Sequence, residues 1–367
     1  MKLSPGKTIW RDNLANSLPR PAGKPAAVRI RPAAERAVRS GHPWVFTDSI
    51  LEISREGAPG DLAVIFDRKN RFLAVGLLDP ASSIAVRILQ ANHPVKINRD
   101  FYRRTLNRAL GIRKPLLAAS RTGRTTGFRI VSGENDGFPG LVLDRYGQTL
   151  VMKIYTPAWL PHLADVLGAL EETLAFKHLV LRTDHFTRHA AREAGLDDGC
   201  VLTAAQPDIP VLFNENGLVF EADPIHGQKT GFFLDQRENR ARVETFSKNA
   251  SVLNLFSYTG GFSVYAARGG ANSITDVDSC SEAVEASLRN MRRNRDAVGG
   301  DIQYQVLQKD VNSALADLFE QGRLFDIVIA DPPAFARSQG QVRHALEMYA
   351  RITRQSRRVL RRGGLLV

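Results

Sequence analysis

The stretch FDIVIADPPAF, Phe325–Phe335, decides how the chain folds. Phe325 to Ala330 is a short apolar run rich in β-branched residues and reads as a buried parallel strand. Asp331, Pro332 and Pro333 then end the ladder, because two successive residues lack a backbone N–H. The turn leaves a carboxylate and the ring of Phe335 just outside a strand's carboxyl end, the edge at which open α/β sheets bind ligands. An acid that accepts an N–H and a ring that stacks suit a flat base with an exocyclic amino group. Taken alone, the same residues also read as a strand-ending loop with Asp331 as a helix N-cap, so the neighbouring strands have to decide.

Working outward, the last third alternates from about Val219. VLNLF, SITDVD, IQYQVLQKD and FDIVIAD read as strands. GGFSVYAARGG, SEAVEASLRNMRRN, VNSALADLFEQG and HALEMYARITRQSRRVLRRGG read as helices, and LLV starts a last strand. That spacing implies right-handed βαβ units and a doubly wound, Rossmann-like α/β sheet. The first of these strands ends at Asn254 and Phe256, and SYTGGFS opens the next helix. Gly260 and Gly261 let the backbone turn sharply and approach a ligand, and the free N–H groups of the helix suit a carboxylate or phosphate. The loop is not a GxGxxG fingerprint, which counts against a nicotinamide cofactor.

Asp278 closes the second strand at a spacing from which an acid reaches a ribose diol, Asp310 closes the third, and Asp331 the fourth. Each acid alone reads as an N-cap or a solvated loop residue. Four such strand ends on one edge match a ligand with a ribose, an adenine and a positive centre. S-adenosylmethionine has that chemistry.

The chain has 367 residues, enough for two or three domains, and carries 50 Lys and Arg against 38 Asp and Glu. Its net charge of +12 and clustered arginines point to a polyanionic partner, RNA first, against a basic surface kept only for solubility. The two cysteines, Cys200 and Cys280, are too far apart in sequence to suggest a disulfide framework or zinc site, and no metal is expected. No apolar run is long enough to span a membrane and no secretory signal is evident, so a cytoplasmic location is expected.

Residues 1–26 read as a flexible basic extension. Residues 27–95 hold short strands with turn signals, including GHPWVF, PGDLAVIFD and SIAVRIL, a small β-rich module. Residues 96–220 read as a small central α/β domain with a basic amphipathic helix, FYRRTLNRALGIRKPLL, and the phrase GENDGFPGLVLDRYG. Residues 221–367 are the doubly wound domain.

The order of GHPWVF, PGDLAVIFD and VRIL resembles a PUA domain, a small RNA-binding pseudo-barrel. NLFSYTGGFSVYAARGGA, TDVDSCSEAVEASLRN, LQKDV and FDIVIADPPAF, with GQKTGFFLDQRENR before them, resemble the motif series of class I S-adenosylmethionine-dependent methyltransferases. The whole chain is similar to the RlmI-type methyltransferases of large-subunit rRNA, which modify cytosine at carbon 5. The resemblance implies that Gln236 and Arg237 flank the cofactor and that Phe256, Gly260 and Gly261, next to Asn254, form the methionine-side loop. It also implies that Asp278 meets the ribose, Asp310 the adenine side, and Asp331 to Phe335 the target base. Lys229 and Arg237 read equally as phosphate contacts or solvated charges, and His226 as a loop histidine without catalytic duty. Whether the protein dimerises stays open.

Carbon-5 chemistry uses a thiolate that adds to carbon 6 of the ring. In the resembling family that cysteine follows the fifth strand, so it is expected beyond Val367, in a C-terminally longer protein; Cys280 and Cys200 are poor substitutes. Two other readings remain: methylation of an exocyclic amine, which needs no cysteine, and an RNA-binding protein without catalysis. Arg103, Arg104, Arg108 and Arg113, the run Arg292–Arg295, and Arg357, Arg358, Arg361 and Arg362 are candidate RNA surfaces.

Overall fold

The computed structural model describes residues 18–117, 124–299, 302–336 and 339–367, together with Trp10 and Leu14. The chain divides into two compact units, residues 1–213 with 222–231 and residues 214–221 with 232–367.

The second unit is the doubly wound sheet. Its strands are β1 Ser251–Leu255, β2 Ser273–Asp278, β3 Gln303–Gln308, β4 Phe325–Ala330 and β5 Leu360–Leu366, in the order β3-β2-β1-β4-β5. All four pairings are parallel. Leu255 pairs with both Val277 and Ala330, and Asp278 with Gln308, so the carboxyl ends of β1 to β4 lie level. Strand order reverses between β1 and β4, which makes that edge the switch point of the sheet. The helices are α1 Arg237–Phe246, α2 Gly261–Arg268, α3 Ser281–Arg293, α4 Val311–Glu320 and α5 Val342–Arg358. Leu253, Leu255, Val277, Phe325 and Val328 form a core against Leu315 and Leu318 of α4.

Two boundaries differ from the sequence reading. The last helix was expected to run through to Gly364, but α5 ends at Arg358 and β5 begins at Leu360. Pairing of Leu360 with Phe325 draws the chain into the sheet, through a register shift and a left-handed Gly363 (φ 83°). The expected division near residue 220 is also displaced. Residues 214–221 belong with the second unit because their acids are buried among its cations. Glu215 receives Arg240 through Nε at 2.9 Å and a terminal N–H at 2.8 Å, and the Tyr265 hydroxyl donates to it at 3.0 Å. Glu221 receives Arg289 at 2.8 Å and Arg293 at 3.0 Å. Burial, reinforced by the Glu215 charge, pushes the Tyr265 hydroxyl far above its usual range.

The first unit contains two sheets. Strands Ala26–Ile30, Trp44–Phe46, Ile50–Ile53, Leu62–Phe66, Phe72–Leu78 and Ile84–Ala91 make a six-stranded sheet around Val28, Val45, Ile65, Leu78 and Val86. This module also holds a helix, Pro32–Arg39, that a strand-and-turn reading omits; proline at its first turn starts it. The central sheet has five strands, in the order Cys200–Val201, His178–Thr183, Thr149–Ile154, Leu141–Tyr146 and Gly127–Ser132. One face packs on helices Arg99–Leu117 and Leu163–Thr173 through Tyr102, Leu106, Met152, Leu167 and Leu181. The described residues of the expected flexible extension are not free. Leu14 and Leu18 are buried in this core, and Trp10 bridges to Thr203 and donates to Glu171 at 3.1 Å. Residues 1–9, 11–13 and 15–17 lie outside the described residues.

His162 joins the two sheets of this unit. Its Nε2 lies 2.7 Å from the Gly60 carbonyl oxygen, which can only accept. The ring proton therefore sits on Nε2, and Nδ1 accepts from the Tyr102 hydroxyl at 3.0 Å. Burial holds the imidazole below its ordinary value of 6.5. As pH falls through 6.5 the unfolded chain takes up this proton before the folded one, so His162 contributes stability above 6.5 that is lost on acidification. Urea unfolding of the whole protein should show a midpoint that drops between about pH 7.5 and 5.5. His162→Ala should lower stability at neutral pH by about 2–4 kcal/mol and flatten that pH slope.

Candidate active site

The loop from Phe256 to Gly260 turns the end of β1 into α2. Phe256 and Tyr258 hold positive φ values of 56° and 48°, unusual for aromatic residues and a mark of a backbone held by its surroundings. The Tyr258 N–H is held by the Asp278 carboxylate at 2.8 Å, and the other oxygen of Asp278 accepts from the Cys280 N–H at 3.0 Å. Asp278 thus ties the loop after β1 to the loop after β2 while remaining half-buried. Gly260, at φ 73°, is the N-cap of α2 and offers no side chain to the first N–H groups of that helix.

Beneath the loop lies a polar cluster that the motif reading missed. Asp276 is fully buried on β2 and accepts from the hydroxyls of Ser263, Ser287 and Tyr304 and from the Asn254 amide at 3.4 Å. Burial pushes its carboxyl up, against the pull of these donors. Asn254 belongs to this cluster: it is 1% exposed and also donates to Ser263 at 2.9 Å. The structure therefore does not bring Asn254 to the edge as a ligand contact; it supports the loop from below. A strand's two-residue repeat was the available signal, since Asp276 shares a face with Asp278.

Two hydroxyls in the loop, Ser257 Oγ and Thr259 Oγ1, are buried without a hydrogen-bond partner, as is Asn312 Oδ1 in the first turn of α4. Orphaned polar atoms are rare in folded proteins and fit a bound polar group such as the amino-acid end and adenosine of S-adenosylmethionine. Gly261 is packed as closely as the loop is hydrogen-bonded: a Cβ there would lie 3.2 Å from both Arg240 Cδ and Phe232 Cζ. Arg240 also donates to the Phe233 carbonyl at 3.0 Å, which fixes the chain entering α1.

Asp331 ends β4, and the Gln236 side-chain amide donates to it at 3.1 Å. Asn239 donates to Gln236 Oε1 at 2.6 Å, which orients the Gln236 NH₂ towards the carboxylate. Phe335 lies 5.0 Å from the Tyr349 ring and 6.5 Å, edge-on, from Phe256. The Tyr349 hydroxyl donates to the Pro333 carbonyl at 3.4 Å. The edge thus joins an oriented acceptor to a row of three rings.

The remaining residues are placed differently from one another. Asp310 is the N-cap of α4, accepting from the N–H groups of Asn312 at 2.9 Å and Ser313 at 3.1 Å. Arg237 pairs with the adjacent Glu238 at 2.7 Å. His226 turns back to Asp223 at 3.2 Å. Of the arginines expected to face RNA, Arg113 is held by Asp136, Arg103 by Asp100 and Glu172, and Arg293 by Glu221. Arg358 stacks on Phe319 at 3.6 Å, whereas Arg104, Arg108, Arg292, Arg357 and Arg362 make no ion pair among the described residues. Among the described residues no group of His, Cys, Asp and Glu could hold a metal ion, and no helix is long and apolar enough to cross a membrane.

Known proteins share this architecture. A family model for PUA-like domains matches residues 28–91, and one for S-adenosylmethionine-dependent methyltransferases matches residues 171–367. A protein of Deinococcus radiodurans named ribosomal RNA large subunit methyltransferase is 42% identical over 341 residues, 93% of this chain and 83% of the relative. Ribosomal RNA large subunit methyltransferase I of Pseudoalteromonas translucida is 34% identical, over 93% of this chain and 84% of the relative. In fold, the chain is similar to the crystal structure of SMU.776, assigned as a methyltransferase and complexed with SAH. The TM-score is 0.77 and the identity 24%, over 93% of this chain and 84% of that one.

Proposed function

This chain belongs to the S-adenosylmethionine-dependent methyltransferases of large-subunit ribosomal RNA, and we propose that the atom it methylates is carbon 5 of a cytosine. When bound, the cofactor supplies an electrophilic methyl group on a sulfonium. The observation that carries the choice of base is the Asn239–Gln236–Asp331 chain of hydrogen bonds. It holds Asp331 as an acceptor, and the exocyclic amine of cytosine is the donor that such an acceptor recognises. Phe335 offers a face for the ring, and Phe256 and Tyr349 hold Phe335 in place.

On this reading Gln236, Phe256, Gly260, Gly261, Asp278 and Asp310 line the cofactor's place, with Ser257 and Thr259 as further hydroxyl donors. Asp276 and Asn254 keep the glycine loop in shape from beneath. Arg237, paired to Glu238, contributes position more than charge.

Methylation at carbon 5 proceeds by addition of a thiolate to carbon 6. Carbon 5 would then accept the methyl group that the cofactor supplies, and loss of its proton with elimination of the thiolate would restore the aromatic ring. Cys280 does not suit that role. Its thiol donates to Glu282 at 3.1 Å, and this hydrogen bond raises its pKa, which disfavours the thiolate. Cys280→Ser should therefore keep methyl transfer within about two-fold of wild type.

The target atom is tested with rRNA tritiated at carbon 5 of cytosine. Release of tritium to water, one per methyl incorporated, supports carbon-5 transfer. Retention of tritium with N4-methylcytosine among the digested nucleosides would overturn the carbon-5 assignment and establish the exocyclic amine as the acceptor.

A further inference from the structure

We propose that the polar face of the central sheet in the first unit binds a phosphodiester of the RNA substrate, with Lys153 as its contact, Arg182 beside it, and the Tyr155 ring stacking an adjoining base. The proposal rests on the rRNA-methyltransferase reading and adds a second place at which the chain holds its substrate.

The argument starts from register. Lys153 and Arg182 are direct partners across the parallel strands Thr149–Ile154 and His178–Thr183, so both side chains leave the same face. Like charges placed opposite each other destabilise a sheet, so the pairing needs a compensating anion. Asp198 supplies that anion to Arg182, while Asp144 and Asp184 serve donors other than Lys153. Asp198 accepts from Arg182 Nε at 3.1 Å, from the Thr183 N–H at 2.8 Å and from Arg188 at 3.4 Å. Asp144 is held by both nitrogens of the Arg129 fork and by Thr230 Oγ1 at 2.6 Å. Asp184 accepts from the Thr187 N–H at 2.8 Å. Lys153 makes no ion pair among the described residues, although it is half-buried. Burial, with the charges of Arg182 and Lys229, lowers its pKa against the pull of Asp198 and Asp184.

The chain brings a further cation to the same place. Residues 222–231 run across this face, tied to it by Thr230 and by Arg182, which donates to the carbonyls of Pro224 at 3.2 Å and Gly227 at 3.0 Å. Lys229 in this segment has φ 53°, a left-handed conformation that costs a non-glycine residue free energy, and its charge adds to the field at Lys153. Beside the cations are exposed rings. Tyr155 is 43% exposed with Lys153 Nζ 5.2 Å from its ring centre, and Phe186 is 77% exposed against His185. Cations that meet a phosphate and rings that meet a base are the two halves of a single-stranded nucleic-acid site.

The test measures binding of the full protein to a transcribed large-subunit rRNA fragment over about 50–200 mM salt. Lys153→Gln should weaken binding by about 3- to 10-fold and make the slope of log affinity against log salt shallower by about 0.7 to 0.9, one phosphate contact. Tyr155→Ala should weaken binding by about 5- to 100-fold, while Tyr155→Phe retains it. S-adenosylhomocysteine binding by calorimetry should be the same in all three variants, which shows that the second unit is intact. An unchanged salt slope and affinity in Lys153→Gln overturns the proposal. So does Lys153-dependent binding of inorganic phosphate with no effect on RNA, which marks a small-anion site, and so does polyglutamate binding as tightly as RNA. Lys153-dependent RNA binding without any methyl transfer would refute the enzymatic reading and leave the surface standing.

Discussion

Asp331→Ala is expected to slow single-turnover methyl transfer to rRNA by about 100- to 1,000-fold, the scale on which one oriented polar group at a reacting centre acts. The carboxylate stands at the end of β4 on a turn stiffened by Pro332 and Pro333, which fixes where it is presented. Asp331→Asn keeps the volume but exchanges one acceptor oxygen for a donor, which faces the base amine like to like; it should be nearly as slow. Gln236→Ala removes only the group that orients Asp331. A positioning loss of about 3- to 10-fold is expected there, expressed mainly in kcat if the oriented carboxylate matters most in the transition state. S-adenosylhomocysteine affinity separates a base-recognition defect from a cofactor defect. If Asp331→Ala turns over within about three-fold of wild type, the acceptor role assigned to this strand end is wrong.

Gly260→Ala should be the most damaging single methyl group that can be added to the cofactor loop. A φ of 73° costs an L-residue about 1–2 kcal/mol, and the new Cβ would overlap Ser287 Oγ and approach Asp276 Oδ2 to 3.2 Å. Ser287 cannot simply move aside, because its hydroxyl serves the buried Asp276 and lies against the Tyr304 hydroxyl. Strain and overpacking together should lower the stability of the second unit by about 2–5 kcal/mol. Where the unit still folds, S-adenosylhomocysteine should bind about 100-fold more weakly, since the α2 N-terminus is displaced. Gly340, around which nothing lies within 4 Å of an added Cβ, is the control. Gly340→Ala should leave thermal unfolding and calorimetric affinity unchanged, and a wild-type affinity in Gly260→Ala would refute the packing argument.

The doubly wound half was legible because its periods are strong. SITDVD corresponds to β2 without a residue's error, and the apolar run of FDIVIAD to β4, since a parallel strand buried on both faces has a continuous apolar signature. The edge residues followed from the strand ends. What a linear reading could not supply was the third dimension beneath that edge. Asn254 looks like a ligand contact in sequence and is support for the loop in space, with Asp276 beside it, because burial is set by what packs above a strand. The β5 start was missed for a similar reason: RRVLRRGG has the composition of a helix end, and only pairing with Phe325 makes it extended. The acids Glu215 and Glu221 gave no signal, because their partners Arg240, Arg289 and Arg293 lie far along the chain.

The path of the chain between its two units sets an order on how it can be made. Residues 214–221 serve the second unit, and residues 222–231 return to the first. While the protein is being synthesised, the first unit cannot finish folding until Thr230 has emerged to meet Asp144 and the carbonyls of Pro224 and Gly227 have reached Arg182. By then Glu215 and Glu221 are already outside the ribosome, two carboxylates whose cations have yet to emerge. The nascent chain must keep that segment hydrated and its acids unpaired until Arg240, and then Arg289 and Arg293, appear. A released chain ending at about residue 235 should therefore resist protease in its first unit while the 214–221 segment is still cut.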